Sequence, residues 1–162
     1  MKKDILPIKE KSKNYYMRAA LRYAKKAASE GEVPVGAVIV YNGHIISGGR
    51  NRREKGKNAL YHAEIEAIDK ACKKLGGWRL FDCKMYVTLE PCPMCSGAII
   101  NSRLNKVYIG AMDSKSGCFG SIMDINSLNF NHKPEVEFGV LEDDCSLILK
   151  EFFLALRNKK KL

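Results

Sequence analysis

The chain has 162 residues and carries 28 Lys or Arg against 18 Asp or Glu, which gives a formal net charge of +10. This length fits one domain with its own core, and so basic a surface favours polyanionic partners such as nucleic acid. No stretch is apolar for long enough to cross a bilayer, and the lysine-rich amino terminus lacks the apolar core of a secretory signal. We therefore expect a cytoplasmic protein with one domain over 1–162, a flexible basic leader (1–13) and a flexible basic tail (158–162).

The first part of the chain predicts a helix followed by a β-hairpin. Apolar residues recur at helical spacing over 14–30, and Gly31 ends that run. Segment 35–41 is apolar and rich in β-branched residues, as is typical of a buried strand. Asn42-Gly43 is a favoured two-residue turn, so 44–47 is predicted to return as the antiparallel partner.

The rest of the chain alternates helices and strands. In order, we predict a helix over 62–75, a strand over 84–89, a helix over 92–101, strands over 107–110 and around 139–141, and a helix over 144–157. Ile65, Ile68, Cys72 and Leu75 fall on one face of the helix over 62–75, which is the face expected to be buried. The predicted fold class is α/β, a three-layer α/β/α sandwich around a mixed sheet of about five strands.

The six cysteines indicate metal binding or core packing rather than disulfides. They are Cys72, Cys83, Cys92, Cys95, Cys118 and Cys145. Only Cys92 and Cys95 are closely spaced, and a chain of this size needs no disulfide to fold, which favours a reducing compartment. Cys72 and Cys145 lie on apolar helix faces, so both are expected in the core.

Two short segments about thirty residues apart predict a metal site. Residues 62–64 are His-Ala-Glu and residues 91–95 are Pro-Cys-Pro-Met-Cys. His62, Cys92 and Cys95 are three zinc ligands, whereas a structural zinc usually has four and a catalytic zinc leaves one position for water. Glu64 is a carboxylate that could move protons at such a site without binding the metal. We therefore predict one catalytic Zn²⁺ per subunit.

The spacing of these residues also predicts where they lie on their helices. Cys92 and Cys95 are three apart, so they are neighbours at the start of one helix. His62 and Glu64 would point about 200° apart inside a helix, so they can converge only at its first turn. Both helix amino termini then point at the metal, where their positive dipole ends favour thiolates.

Other readings of the C-x-x-C motif remain open at this stage. A lone C-x-x-C can be a redox pair or half of a zinc ribbon. A redox pair would not require His62 or Glu64, and the sequence has no second C-x-x-C to complete a ribbon. Zinc in a non-catalytic RNA-binding module would need a fourth ligand, for which Glu64 and Cys118 are the candidates.

Basic residues cluster in the leader and first helix, over 50–57 and over 157–161. Such clusters can be solvated surface or contacts to a nucleic-acid backbone. The 50–57 segment leads directly into the His62 segment, which favours a backbone contact for Arg52 and Arg53. Arg157, in the tail, is a weaker candidate for the same role.

The pattern H-A-E followed by P-C-x-x-C resembles the zinc-dependent cytidine deaminase superfamily, and the whole chain is similar to its tRNA adenosine deaminases. The likeness lies in residues 31–38, 49–52, 62–65, 86–95, 110–115, 117 and 152–153. One departure is Leu60-Tyr61, where the family often has Thr-Ala. The resemblance implies a cytidine deaminase-like fold and a single deaminase domain.

The resemblance further implies a homodimer that binds the anticodon arm of a tRNA and converts its wobble adenosine to inosine. Water activated by zinc would attack the base, with Glu64 as the proton shuttle. Substrate binding is implied for Val33 and Asn51 at the flipped base, for Leu89, and for Asp113, Ser114 and Lys115 at neighbouring nucleotides. The alternatives are a deaminase of free guanine, cytosine or cytidine, and the non-catalytic zinc-containing RNA-binding module.

Overall fold

A computed structural model of the chain describes residues 10–160 and has a five-stranded sheet at its centre. The strands are β1 (Gly36–Tyr41), β2 (His44–Arg50), β3 (Cys83–Leu89), β4 (Lys106–Ala111) and β5 (Glu135–Phe138). They lie in the order β2-β1-β3-β4-β5. Strand β1 is antiparallel to β2 and β3, whereas β3, β4 and β5 are parallel. The predicted mixed sheet is confirmed.

Helices cover both faces of this sheet. They are α1 (Lys13–Ser29), the short α2 (Arg53–Gly56), α3 (Ala63–Leu75), α4 (Pro93–Asn101) and α5 (Glu142–Lys159), with a 3₁₀ turn at Ile125–Ser127. Val38 and Tyr86 face α1 and α5, while Ala37 and Val87 face α3 and α4. Because adjacent strand residues point to opposite faces, strands β1 to β4 contribute to both cores. The three-layer α/β/α sandwich is therefore confirmed.

Local sequence explains the boundaries that position the site. Asn42 and Gly43 both have positive φ, 48° and 74°, as the two-residue hairpin turn requires. The first turn of α3 rests directly on β2, because Gly49 has no side chain there. A Cβ atom on Gly49 would lie 2.2 Å from the carbonyl oxygen of Ala63.

The predicted buried face of α3 is wrong. The residues of α3 that pack against the sheet are Ala63, Ala67 and Ala71, whereas Leu75 is 40% exposed. Ile65 is partly exposed, and Ile68 and Cys72 lie only at the edge of the core, so Cys72 is not the core residue we expected. The physical reason is distance: only small side chains allow α3 to approach β2 this closely. Cys145 is fully buried, as expected.

The last strand also differs from the prediction. It covers Glu135–Phe138 and ends before the apolar triplet 139–141. Gly139 and Leu141 have φ values of 80° and 51°, so the backbone turns there and leads into α5. Short α2 was not predicted, since three charged residues and a glycine carry no periodic pattern.

The expected flexible ends are only partly covered by the structure. Residues 1–9 and 161–162 lie outside the described residues, while α1 begins at Lys13 and α5 continues to Lys159. Within residues 10–160, no helix has the length and apolar character needed to cross a membrane.

The close contact at Gly49 predicts a large effect of a single methyl group. Gly49→Ala should lower the free energy of unfolding by about 1–3 kcal/mol, because the new Cβ meets backbone atoms of α3 that cannot move aside. Gly77→Ala is the matched control, since a Cβ there has no neighbour within 4 Å. Urea denaturation would measure both variants, and equal stabilities would contradict the proposed packing.

Candidate metal centre and active site

The three predicted metal ligands meet where two helices begin. His62 is the N-cap residue of α3 and Cys92 is the N-cap residue of α4, and both have extended backbone conformations. Cys95 lies in the first turn of α4 and is fully buried. The inferred placement of His62 and Glu64 at the start of their helix is therefore confirmed.

The distances between the donor atoms fit a tetrahedral zinc ion. His62 Nδ1 lies 3.7 Å from Cys92 Sγ and 3.5 Å from Cys95 Sγ. Bonds of about 2.3 Å to sulfur and about 2.0 Å to nitrogen separate these atoms by roughly 3.5 Å at the tetrahedral angle. One imidazole and two thiolates are also a donor set that zinc prefers.

Neither candidate for a fourth protein ligand joins this group. Within residues 10–160, the group of donor atoms that could share one ion consists of His62, Cys92 and Cys95, all within 4.8 Å of one another. Glu64 and Cys118 are outside it. A three-donor group argues against the structural zinc of a non-catalytic module, which normally has four protein ligands.

The surroundings of the cysteines favour a thiolate. The neighbouring Cys95 thiol, followed by His62, lowers the pKa of Cys92 to about 4 against the opposing effect of partial burial. Cys92 and burial together raise the pKa of Cys95. The contact with Cys92 also raises the pKa of His62. One sulfur is thus ready to bind a cation at neutral pH.

Glu64 lies beside the ligands in the first turn of α3 and is only 4% exposed. Burial, with a smaller effect of Cys92, raises the pKa of Glu64 to about 7. A carboxyl group with a pKa near neutrality can both accept and donate a proton. This is the property expected of a general acid and base.

Glu64, His62 and Cys92 line a cavity of about 150 Å³. Pockets that bury drug-sized molecules enclose roughly 300–1,000 Å³, so this cavity suits one ring system. The other lining residues are Val33, Val35, Asn51, Arg53, Ala63, Leu89, Glu90, Asp113 and Ser116.

Four of the six predicted substrate-binding residues line the cavity. They are Val33, Asn51, Leu89 and Asp113. The Asn51 amide is held in place, since Nδ2 donates to the Val33 carbonyl oxygen at 3.3 Å and Oδ1 accepts from the Arg53 amide at 3.3 Å. Ser114 and Lys115 are exposed and lie outside the lining.

The three arginines predicted to contact RNA have different surroundings. Arg53 is exposed and lines the cavity. Arg52 pairs with Glu66 at 3.2 Å and stacks on the Tyr61 ring at 4.8 Å, so its charge is already engaged within the chain. Arg157 is exposed on α5, outside the cavity lining.

Sequence reasoning missed Val35, Glu90 and Ser116 as parts of the cavity wall. Val35 belongs to an apolar run that looked like ordinary strand core. Glu90 stands between the strand and the cysteines, where its fully buried carboxylate has no signature in the spacing. Ser116 lies in the same loop as Ser114 and Lys115, but the turn of the loop directs Ser116 into the cavity wall and leaves the other two outside it.

Comparison with known proteins agrees with this geometry. Residues 11–157 match the MafB19-like deaminase family. The tRNA-specific adenosine deaminase of Bacillus subtilis (strain 168) is 52% identical over 147 residues, which cover 90% of this chain and 91% of the relative. That of Streptococcus pyogenes serotype M1 is 41% identical over 158 residues, 97% of this chain and 92% of the relative.

Two solved structures have folds similar to that of this chain. One comes from a study of A-to-I editing by tRNA:A34 deaminases at the wobble position, with a TM-score of 0.82, 39% identity, and coverage of 85% of this chain and 100% of that one. The other is a guanine deaminase from Bacillus subtilis, with a TM-score of 0.61, 30% identity, and coverage of 75% and 88%. The chain therefore belongs to the MafB19-like deaminase family and, within it, to the group of bacterial tRNA-specific adenosine deaminases.

Proposed function

We propose that this protein hydrolyses the wobble adenosine of a tRNA anticodon to inosine. The observation that carries this proposal is a three-donor metal group beside the buried, unligated carboxyl of Glu64, in a cavity that suits one base. The identity of 52% to a tRNA-specific adenosine deaminase supports the choice of substrate. A tRNA substrate in turn supports a cytoplasmic location.

His62, Cys92 and Cys95 would hold one Zn²⁺ per subunit. When bound, zinc would lower the pKa of a water molecule to about 7 and so supply hydroxide, which is a stronger nucleophile than neutral water. The dipoles of α3 and α4 favour the anionic sulfur ligands at the same point.

Glu64 would move the protons of the reaction. Deamination replaces the 6-amino group of adenine with oxygen and releases ammonia. The Glu64 carboxylate would take one proton from the attacking water and pass it to N1 of the ring. It would then take the second proton from the newly added oxygen and deliver it to the amino nitrogen, so that ammonia leaves as C6 becomes a carbonyl. Proton transfer by a positioned side chain is typically worth 10²–10⁴-fold in rate.

The cavity would bind the flipped base and leave the rest of the RNA outside. Val33, Asn51 and Leu89 would contact the base, with the Asn51 amide fixed in advance by its hydrogen bonds. Extruding a base from its stack costs least in a single-stranded loop, and an anticodon loop meets that condition. A net charge of +10 favours such a polyanion over a free base.

Residues around the cavity mouth would contact neighbouring nucleotides. We assign Asp113, Ser114 and Lys115 to this role, and Ser114 and Lys115 are exposed enough to reach RNA outside the cavity. Arg53 would bind the phosphate backbone at the mouth. Arg157 remains a candidate for a more distant backbone contact, and the internal ion pair of Arg52 makes it the weakest of the three arginines.

A second copy of this chain would cover the outer surface of α3 and α4. Helix α4 is apolar on all sides, yet Met94, Gly97 and Ala98 are only partly buried. Ile65 and Leu75 on neighbouring α3 are also partly exposed. A helix that is apolar all round is usually buried, which supports a homodimer formed through this surface.

The proton-transfer role of Glu64 gives the first test of function. Purified protein incubated with total tRNA should produce inosine at one anticodon position, located by sequencing. Glu64→Gln should lower the turnover of a matching stem-loop by about 10²–10⁴-fold, since an amide cannot shuttle protons. Zinc content should stay unchanged. Full activity in Glu64→Gln, or turnover of free guanine without inosine in tRNA, would refute the proposal.

Arg53 provides a test of RNA binding. Arg53→Gln should weaken stem-loop binding and reduce the slope of log K against log salt by roughly one charge, because a phosphate contact releases a counterion. Arg52→Gln should change the slope less, since Arg52 already pairs with Glu66. Filter binding at several salt concentrations would decide, and a slope unaffected by Arg53→Gln would exclude the contact.

The homodimer can be tested at Gly97. A Cβ atom there would have no neighbour within 4 Å in one subunit, so Gly97→Glu should leave the fold intact. The same charge would be buried at the proposed interface, and light scattering should therefore detect monomers. Gly77→Glu, at another open glycine, should remain dimeric. A dimeric Gly97→Glu protein would place the interface elsewhere.

A further inference from the structure

Glu90 is a buried carboxylate that neither metal binding nor proton transfer uses. It follows β3 directly, is 2% exposed, and lies two residues before Cys92 in the cavity wall. Its backbone amide donates to the Ala111 carbonyl oxygen at the end of β4, at 2.8 Å. The main chain of Glu90 is thus fixed to the sheet.

The side chain of Glu90 binds a single loop, residues 112–122. Oε2 accepts hydrogen bonds from the Asp113 amide at 2.9 Å and from the Ser121 hydroxyl. Oε1 accepts from the amides of Phe119 at 3.0 Å and Ser121 at 3.1 Å. Among the ion pairs of residues 10–160, none includes Glu90. A buried carboxylate is costly unless hydrogen bonds compensate it, and here one loop supplies all four.

Gly117 allows the loop to wrap closely around this carboxylate. A Cβ atom on Gly117 would lie 2.2 Å from Glu90 Oε2 and 2.7 Å from the Asp113 carbonyl oxygen. Four hydrogen bonds hold the carboxylate in place, so it cannot move aside cheaply. The loop conformation and the position of Glu90 therefore depend on each other.

The loop also carries part of the cavity wall. Asp113 and Ser116 line the cavity, and the Asp113 carboxylate accepts from the Ser116 hydroxyl at 2.6 Å and from the Lys115 amide at 3.0 Å. Glu90 fixes the Asp113 amide, and Asp113 in turn orders Lys115 and Ser116. The chain of contacts thus runs from the strand that leads to Cys92 to the wall of the substrate cavity.

From this chain of contacts we propose that Glu90 is a positioning residue for substrate. It fixes the wall formed by Asp113 and Ser116 at a set distance from the metal ligands and Glu64. His62 and Glu64 lie at the start of α3, and Glu90 makes no hydrogen bond to that helix. We therefore expect Glu90 to affect binding of the RNA rather than the chemical step. The kinetic part of this proposal rests on the proposed function, whereas the structural part does not.

Hydrogen–deuterium exchange without RNA tests the structural part. Glu90→Gln replaces one carboxylate oxygen with an NH₂ group, which cannot accept the hydrogen bonds that the loop donates. Amide exchange in peptides covering 113–121 should therefore become at least about tenfold faster. Ser47→Ala is the matched control. Ser47 lies on β2 and its hydroxyl donates a buried hydrogen bond to the Ala67 carbonyl oxygen of α3; loss of that bond should leave exchange in 113–121 unchanged. Unchanged exchange in Glu90→Gln would overturn the proposal even if tRNA is not the substrate.

Steady-state kinetics with an anticodon stem-loop as substrate tests the kinetic part of the proposal. Glu90→Gln should keep one zinc per subunit and lower kcat/KM by roughly 10–100-fold, mainly through a higher KM. Loss of zinc, or a fall in kcat with KM unchanged, would contradict a positioning role. Absence of inosine with the unsubstituted protein would instead refute the proposed function.

A second variant approaches the same contact from the loop. Gly117→Ala should reproduce the faster exchange and the higher KM, because its Cβ displaces the loop from Glu90. Effects that arise from one shared contact are not additive, so the double variant should be little worse than the more severe single variant. Fully additive effects would show that the two residues act separately. Ser121→Ala removes only the hydroxyl donor, so it should give a smaller increase in exchange and in KM. It replaces Glu90→Gln in both experiments if that variant does not fold.

Discussion

The structure depends on bringing the amino termini of two helices to one point beside the sheet. Strand β3 leads to Cys92 and α4, while the tight packing of α3 on β2 at Gly49 fixes His62 at the start of α3. Their donor atoms are thereby held at the spacing of a tetrahedral zinc ion. Because residues 10–160 supply three donors to this group, a zinc ion bound there would keep one position for chemistry rather than for structure.

The same arrangement determines the electrostatics of the site. Helix amino termini favour anions, and the contacts around Cys92 lower its pKa to about 4. Burial acts in the opposite direction on Glu64 and raises its pKa to about 7. In the proposed function these two acidic groups have different roles: Cys92 would be a metal ligand and Glu64 would carry protons. This division matches the requirements of hydrolytic deamination.

The sequence correctly predicted those features that a local rule of backbone geometry determines. The Asn42-Gly43 turn fixed the hairpin, and the 200° separation of His62 and Glu64 within a helix required them to lie at its first turn. It failed where tertiary packing decides. The buried face of α3 is made of alanines because the helix lies close to β2, and hydrophobicity alone favoured Ile65 and Leu75 instead. The ion pair of Arg52 and the loop contacts of Glu90 join residues distant in sequence, which no spacing pattern could reveal.

We propose that His62, Cys92 and Cys95 bind one zinc ion and leave a fourth position open to solvent. X-ray absorption spectroscopy at the zinc edge of the purified protein, with metal content measured in parallel, tests it most directly. We expect one zinc per subunit bound by two sulfur atoms at about 2.3 Å and two lighter atoms, one from imidazole and one from water. A third sulfur ligand, a carboxylate or a second imidazole in place of water, or protein without zinc would contradict this arrangement.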